Sequence, residues 1–259
     1  MLKNKTLLIT GASTGLGKAL AIKLANKNSN IALMARNLTR LKETASLCQT
    51  NPLLLTGDIT LESDCQAAIE EVIRHYGCLD YLILNAGISM YSHFEKLADL
   101  SAIRQLIQTN YIGAVNCTYH ALPYLKKTNG MITVISSIQG KIGVPYHTGY
   151  AASKHALEGF FNSLRIELNN AIDILMVSPG WIRGTELKQR ALGKQFEHTA
   201  KTNLKQMKQA VSLETCCNEI ITAMLKRKRE LIVPKKYRWL PWLKLIVPSL
   251  LDNIIQQKL

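Results

Sequence analysis

Seven short apolar runs recur along the chain: TLLIT, NIALMA, PLLLTG, LDYLILNAG, MITVISS, IDILMVSPG and ELIVP. They are nearly continuous rather than alternating, the pattern of strands buried on both faces of a parallel sheet. Between them the apolar positions switch to a helical period, over residues 15–27, 38–48, 61–76, 98–125, 150–168 and 213–227. Strands alternating with helices, joined by right-handed crossovers, predict a single α/β domain with a doubly wound, parallel, seven-stranded sheet over residues 1–234. A basic and apolar tail, 235–259, follows. Ligands of such sheets bind beyond the carboxyl ends of the strands, so the chemistry is sought there.

Composition adds limits. Hydrophobic residues make up 47% of the 259 and charged residues 19%, enough apolar material for a large core and too little charge for a disordered chain. The opening MLKNKTLLIT runs straight into a glycine-rich turn, so no secretory signal is expected. No run reaches the roughly 18 apolar residues of a spanning helix. Cys48, Cys65, Cys78, Cys117, Cys216 and Cys217 show no CxxC spacing, which predicts reduced thiols, a cytoplasmic setting and no metal site. The net charge of +14 favours anionic ligands. The basic residues are spread, apart from KRKRE and KKYRW, and no nucleic-acid module accompanies them, so nucleic acid is not expected as a partner.

Directly after the first strand comes TGASTGLGKAL. Glycines at 11, 15 and 17 permit a tight strand-to-helix turn whose backbone can approach a pyrophosphate at the positive end of the next helix. The spacing is not that of an ATP-binding P-loop. The second strand ends at LMARN, where an acidic residue would accept hydrogen bonds from an adenosine ribose. Arg36 stands there instead, suited to the extra phosphate of NADP, with Ser13 and Thr14 as hydroxyl donors. NADP(H) is therefore expected in preference to NAD(H).

Further motifs continue in order: Asp58 after the third strand, NAG at 85–87 after the fourth, Asn110 in the fourth helix, Ser137 ahead of the Tyr150–Lys154 pair, and SPG after the sixth strand. With TGxxxGxG these resemble the short-chain dehydrogenases/reductases over about residues 3–234. The resemblance implies a Rossmann-type domain that moves hydride between a nicotinamide and a carbonyl or alcohol. It implies cofactor contacts at Gly11, Ser13, Thr14, Gly15, Leu16, Gly17, Arg36, Asp58 and Ile59. It adds Asn85, Ala86, Gly87, Tyr150, Lys154, Pro179, Gly180 and Ile182. In PGWIRGTE, Gly184 places Thr185 one residue later than the family's threonine, which leaves Thr185 unassigned. A homodimer or homotetramer through the helices 98–125 and 150–168 is also implied.

The residues themselves supply a chemistry. Ketone reduction needs a proton donor at oxygen, and a tyrosine hydroxyl suits it, although its usual pKa of about 10 is high. Lys154, one helical turn on and on the same face, is expected to lower that pKa by stabilising the phenolate, and to hold the nicotinamide ribose. Ser137 would stabilise charge on the substrate oxygen; its neighbour Ser136 is the weaker candidate. Asn110, by resemblance, would hold a water that resupplies Lys154. His147 and His155 are read as structural or substrate-lining. Trp181 and Tyr146 are expected as aromatic walls, and residues 181–212 as a lid over the substrate.

The tail carries Trp239, Trp242, Leu245, Ile246 and Leu250 among Lys235, Lys236, Arg238 and Lys244, and is interrupted by Pro241 and Pro248. It reads either as an interfacial contact with a membrane, at its inner surface, or as a cover over the substrate cleft or a subunit interface. The expected function is reduction of a lipophilic carbonyl by NADPH. A non-catalytic NADP(H)-sensing protein on the same fold is the alternative.

Overall fold

The computed structural model describes residues 2–187, 191–193 and 210–257. Its main sheet is formed by β1 (Thr6–Thr10), β2 (Asn30–Ala35), β3 (Leu53–Thr56), β4 (Tyr81–Leu84), β5 (Met131–Ile135), β6 (Asp173–Pro179) and β9 (Glu230–Val233). The order is β3-β2-β1-β4-β5-β6-β9 and every pairing is parallel. Chain direction across the sheet reverses between β1 and β4, and a crevice opens there. A two-stranded ribbon, β7 (Ile182–Arg183) with β8 (Val211–Ser212), lies apart from the sheet.

The two-residue period of a strand divides the apolar runs between two cores. Leu7, Ile9, Ile31, Leu33 and Ile83 point into the core closed by α1 (Gly15–Ala25), α2 (Leu38–Ala45) and α7 (Leu213–Leu225). Leu8, Ala32, Met34, Leu82 and Leu84 point into the other, closed by α3 (Glu62–Tyr76), α5 (Gly113–Lys127) and α6 (Thr148–Glu167). The uninterrupted hydrophobicity of each strand is thus two alternating faces, both dry.

The expected helices shift by one to three residues at their ends, and two of them depart in ways that bear on the site. The single helix expected over 98–125 is α4 (Ser101–Ile107), a π turn at Gln108–Ile112 and then α5. The π turn carries Asn110, whose side chain binds across to the loop after β4 rather than facing outward. The helix with the Tyr150–Lys154 pair starts two residues early, at Thr148.

The tail folds back. A 3-10 turn at Lys235–Trp239, α8 (Leu240–Ile246) and α9 (Pro248–Gln257) bring Tyr237, Leu240, Leu243, Leu251 and Ile255 onto Ile138, Ile142 and Ile232. Gly180 makes room for this, since a Cβ there would stand 2.3 Å from the Tyr237 ring. No helix among the described residues is long and apolar enough to cross a membrane.

Candidate active site

The crevice is a cavity of about 1120 Å³ at the carboxyl ends of β1, β2, β4, β5 and β6. Its near end is built on a four-way clasp. The Thr10 hydroxyl accepts from the amides of Asn85 and Ala86, both at 3.1 Å, and the Asn85 carboxamide donates to the carbonyls of Thr10 at 3.0 Å and Gly11 at 3.2 Å. The clasp draws the turn after β1 onto the loop after β4. Gly11 is there at φ +64°, and a Cβ on Gly17 would lie 2.3 Å from the Gly11 carbonyl oxygen and 2.4 Å from Asn85 Nδ2. The third glycine of the turn is therefore required by contact, and it buttresses the cavity rather than lining it.

Ser13, Thr14, Gly15 and Leu16 do line the cavity, at the N-terminus of α1. Thr14 makes no capping hydrogen bond and the first turn holds no acidic residue, so the amides and the dipole there are left for an anion. Farther along lie Arg36, 3.5 Å from Asp58, and Arg40, 3.5 Å from Glu186. Arg40 escaped the sequence reading; its signal was its place in the first turn of α2, four residues after Arg36. A basic far end, an uncapped helix start and a turn held to glycine at positions 11 and 17 fit a dinucleotide phosphate.

Asp58 accepts from the Thr60 amide and Ile59 packs beneath Gly113, both at the cavity wall with Ala86 and Gly87. Pro179, Gly180 and Ile182 close the opposite side. Thr185 also lines the cavity, its Cβ 3.6 Å from where a Cβ on Gly15 would stand, so the late threonine does reach the phosphate turn. Of the expected cofactor contacts Gly17 alone stands behind the wall, and Asn110 of the expected catalytic set stands there too. Asn110 accepts from Ile88 N at 2.8 Å and donates to Ile88 O and Ser153 Oγ, both at 2.9 Å. Its side chain braces α6 against the loop after β4.

Ser137, Tyr150 and Lys154 converge at the centre. Ser137 caps the 3-10 turn Ile138–Gly140 by accepting from Gln139 N, donates to Pro179 O at 3.5 Å, and lies close enough to the Tyr150 phenol to act on its acidity. Ser136 is buried with no hydrogen-bond partner for its hydroxyl among the described residues. Lys154 Nζ lies 5.7 Å from the Tyr150 ring centroid and donates to Ile135 O at 2.9 Å. Burial governs the acidities of both. It pushes the Tyr150 phenol up to about 12, with Ser137 pulling the other way, and pulls the Lys154 ammonium down to about 8, with Glu158 opposing. The expected lowering of the tyrosine pKa by Lys154 is not found: desolvation of the phenolate raises it, Ser137 is what works against the rise, and the arrangement holds a protonated phenol.

His147 is buried edge-on to Tyr150 and Trp181 and donates from Nδ1 to Pro145 O, while His155 bonds back to Ala151 O. Trp181 lines the cavity as expected. Tyr146 instead packs tilted against Tyr91 and edge-on against His93, at centroid distances of 5.2 and 4.5 Å, outside the wall and with its backbone at φ 68°. Of the expected lid, residues 188–190 and 194–209 lie outside the described residues; Leu192 is bonded onto Ser89 and Tyr91.

The model of the short chain dehydrogenases matches residues 5–195. The chain belongs to the short-chain dehydrogenase/reductase family. It is an NAD(P)-dependent oxidoreductase. A Dictyostelium discoideum protein called a dehydrogenase/reductase SDR family protein 7-like is 39% identical, over 96% of this chain and 80% of its own length. An 11-beta-hydroxysteroid dehydrogenase of Pinus massoniana is 33% identical, over 97% and 73%. A Burkholderia phymatum short chain dehydrogenase/reductase, solved with NAD, shares the fold at a TM-score of 0.83 and 19% identity, over 96% of this chain and 95% of that one.

Gly17→Ala in this oxidoreductase is expected to weaken dinucleotide binding by roughly ten-fold or more, since relieving overpacking of this size costs about 1–3 kcal/mol. A fluorescence titration of NADPH checks it; unchanged affinity would show that the clasp yields without cost.

Proposed function

We propose that the protein reduces a lipophilic carbonyl compound with NADPH. The observation that carries this reading is the pairing, in one cavity, of the Ser137–Tyr150–Lys154 centre with an apolar wall of Ile142, Val144, Tyr237, Leu240, Ile254 and Ile255. The relatives named as hydroxysteroid dehydrogenases support a large, flat or long apolar substrate. The phosphate turn and Pro179–Gly180 would hold a reduced nicotinamide, which would supply the hydride for the carbonyl carbon. Tyr150, protonated, donates its proton to the carbonyl oxygen, and Ser137 donates a hydrogen bond to the same oxygen as charge develops. Lys154, while charged, limits the cost of the phenolate that remains. A protonated phenol favours the reductive direction.

Arg36 and Arg40 now face Asp58 and Glu186, weak pairs that a 2′-phosphate would outcompete by offering two full charges. NADPH is expected to bind at least ten-fold more tightly than NADH, with the difference lost in the double variant Arg36→Ala/Arg40→Ala. Equal affinities in the parent protein would refute the preference.

Turnover identifies the substrate class. A panel of steroids, long-chain keto-lipids, aldehydes and small ketones, read by NADPH oxidation, should show activity for the apolar members. Tyr150→Phe should lower it by about 10²–10⁴-fold with NADPH binding intact. More than about a tenth of the activity surviving would remove Tyr150 as the proton donor.

The tail adds a second function. Trp239, Trp242, Leu245 and Ile246 point away from the cavity and are exposed, 72%, 60%, 76% and 73%, while the intervening Leu240 and Leu243 face inward. Lys235, Lys236, Arg238 and Lys244 border this apolar face, the arrangement that suits an anionic lipid surface. An apolar substrate would then reach the cavity past the tail. The exposed Tyr119 on α5 and Ile166 on α6 suit the helix-mediated homo-oligomer. The full-length chain should co-sediment with anionic vesicles and lose this with Trp242→Ser/Leu245→Ser. Retention in the supernatant, with self-association that the same variant abolishes, would assign the patch to a second copy instead.

A further inference from the structure

Glu158 stands one turn beyond Lys154 on the same face of α6. It is buried, and it does not line the cavity. Both of its oxygens are engaged: Oε2 pairs with Lys141 Nζ at 3.0 Å, and Oε1 accepts from Ser178 Oγ at 3.2 Å. Lys141 makes a second ion pair, at 2.6 Å, with Glu230 at the start of β9, and its carbonyl accepts from Lys244 of the tail at 3.0 Å. One carboxylate therefore joins the helix of Tyr150 and Lys154, the segment just after Ser137 and the strand that ends in Pro179. Through Lys141 it also reaches β9 and α8.

A buried ion pair of this kind seldom adds net stability over a well-packed apolar replacement. Its position suggests another use. Lys154 is 4% exposed, and it donates to a neutral carbonyl, Ile135 O. The charges that face this end of α6 are Glu158 and Arg165 on the helix itself, Lys141 after the 3-10 turn, Glu230 on β9 and Arg229 just before it; Tyr150 and Asn110 are the uncharged polar neighbours on the cavity side. Glu158 is the negative charge nearest to Lys154 along the helix face, at the i+4 spacing. Burial favours the neutral amine, and Glu158 works against it.

We propose that Glu158 is a positioning residue for Lys154: clamped by Lys141 and Ser178, it keeps the buried ammonium charged, and Lys141 sets how much of that negative charge Lys154 feels. The proposal rests on the reading of Lys154 as part of the proton-donating centre, but its test does not need turnover. It requires opposite effects from the two partners. Glu158→Gln keeps the size and the hydrogen bond from Ser178 and removes the attraction, so Lys154 should lose its proton at lower pH. Lys141→Gln removes a cation and unmasks Glu158, so Lys154 should hold its proton to higher pH.

The full-length chain, with lysine labelled by carbon-13 at Cε, is titrated by NMR, the Lys154 signal being the one absent from Lys154→Met. The parent midpoint is expected near 8. It should fall by roughly one pH unit in Glu158→Gln and rise in Lys141→Gln, the size of effect for a charge one helical turn away at intermediate dielectric. The basic limb of the kcat/KM profile for any carbonyl turned over should move the same way. If Glu158→Gln does not fold, Lys141→Gln decides alone. An unmoved Lys154 midpoint, or movement in the same direction in both variants, overturns the proposal and leaves the network a tie between segments. A moved midpoint without any reductase activity would instead support the proposal and count against the reading of Lys154 as part of a reductase.

Discussion

The structure turns on how closely β1 and β4 can be brought together at their carboxyl ends. The two strands are paired, but the connections that leave them part to different sides of the sheet, and the backbone polar groups of the two departing loops would be left unpaired as they separate. Thr10 and Asn85 answer this with one hydroxyl that takes two amides and one carboxamide that gives to two carbonyls. Everything on the cavity floor follows from that approach. The turn has no space for side chains at Gly11 and Gly17, α1 starts with its amides uncapped, and the loop with Gly87 is carried back over Asn110 and Lys154.

At the centre the same close packing sets the chemistry through desolvation. A tyrosine and a lysine on one helical face are a common pairing, but here both are almost wholly out of water. Burial moves each toward its neutral form, the phenol up and the ammonium down. The two shifts suit a protein that gives a proton away: the phenol keeps its proton until an alkoxide forms, and the lysine sits near the pH at which a modest neighbouring charge changes its state. Glu158 and Lys141 are that neighbourhood. Their ties to Ser178, Glu230 and Lys244 mean that the tail is mechanically continuous with the reacting centre, not merely draped across it.

The tail shows how one short segment meets two demands. Its inward residues close an apolar chamber over Ile138 and Ile142, which raises the local stakes of every polar group inside. Its outward residues leave tryptophans and aliphatics in solvent beside lysines, a surface whose exposed area favours burial elsewhere. The proposed reduction of an apolar carbonyl would gain from both, since such a compound is scarce in water and concentrated at a lipid boundary.

The sequence by itself determined the parallel sheet with its helical crossovers, and it pointed to the glycine-rich turn and the Tyr150–Lys154 pair, because each depends on local geometry: a two-residue or 3.6-residue period, a turn that favours glycine, two side chains one helical turn apart. It also pointed to Arg36. What only the tertiary structure decided depends on contacts between segments distant in the chain. The break of the 98–125 helix into a π turn arises where Asn110 reaches across to Ile88. The removal of Tyr146 from the cavity wall comes with a positive φ that no periodicity encodes. Arg40 opposite Glu186 and Glu158 between Lys141 and Ser178 are pairings across 146, 17 and 20 positions. The pKa order of Tyr150 and Lys154 belongs to this second group as well, because desolvation is a property of everything packed around a residue and not of the residues beside it in the chain.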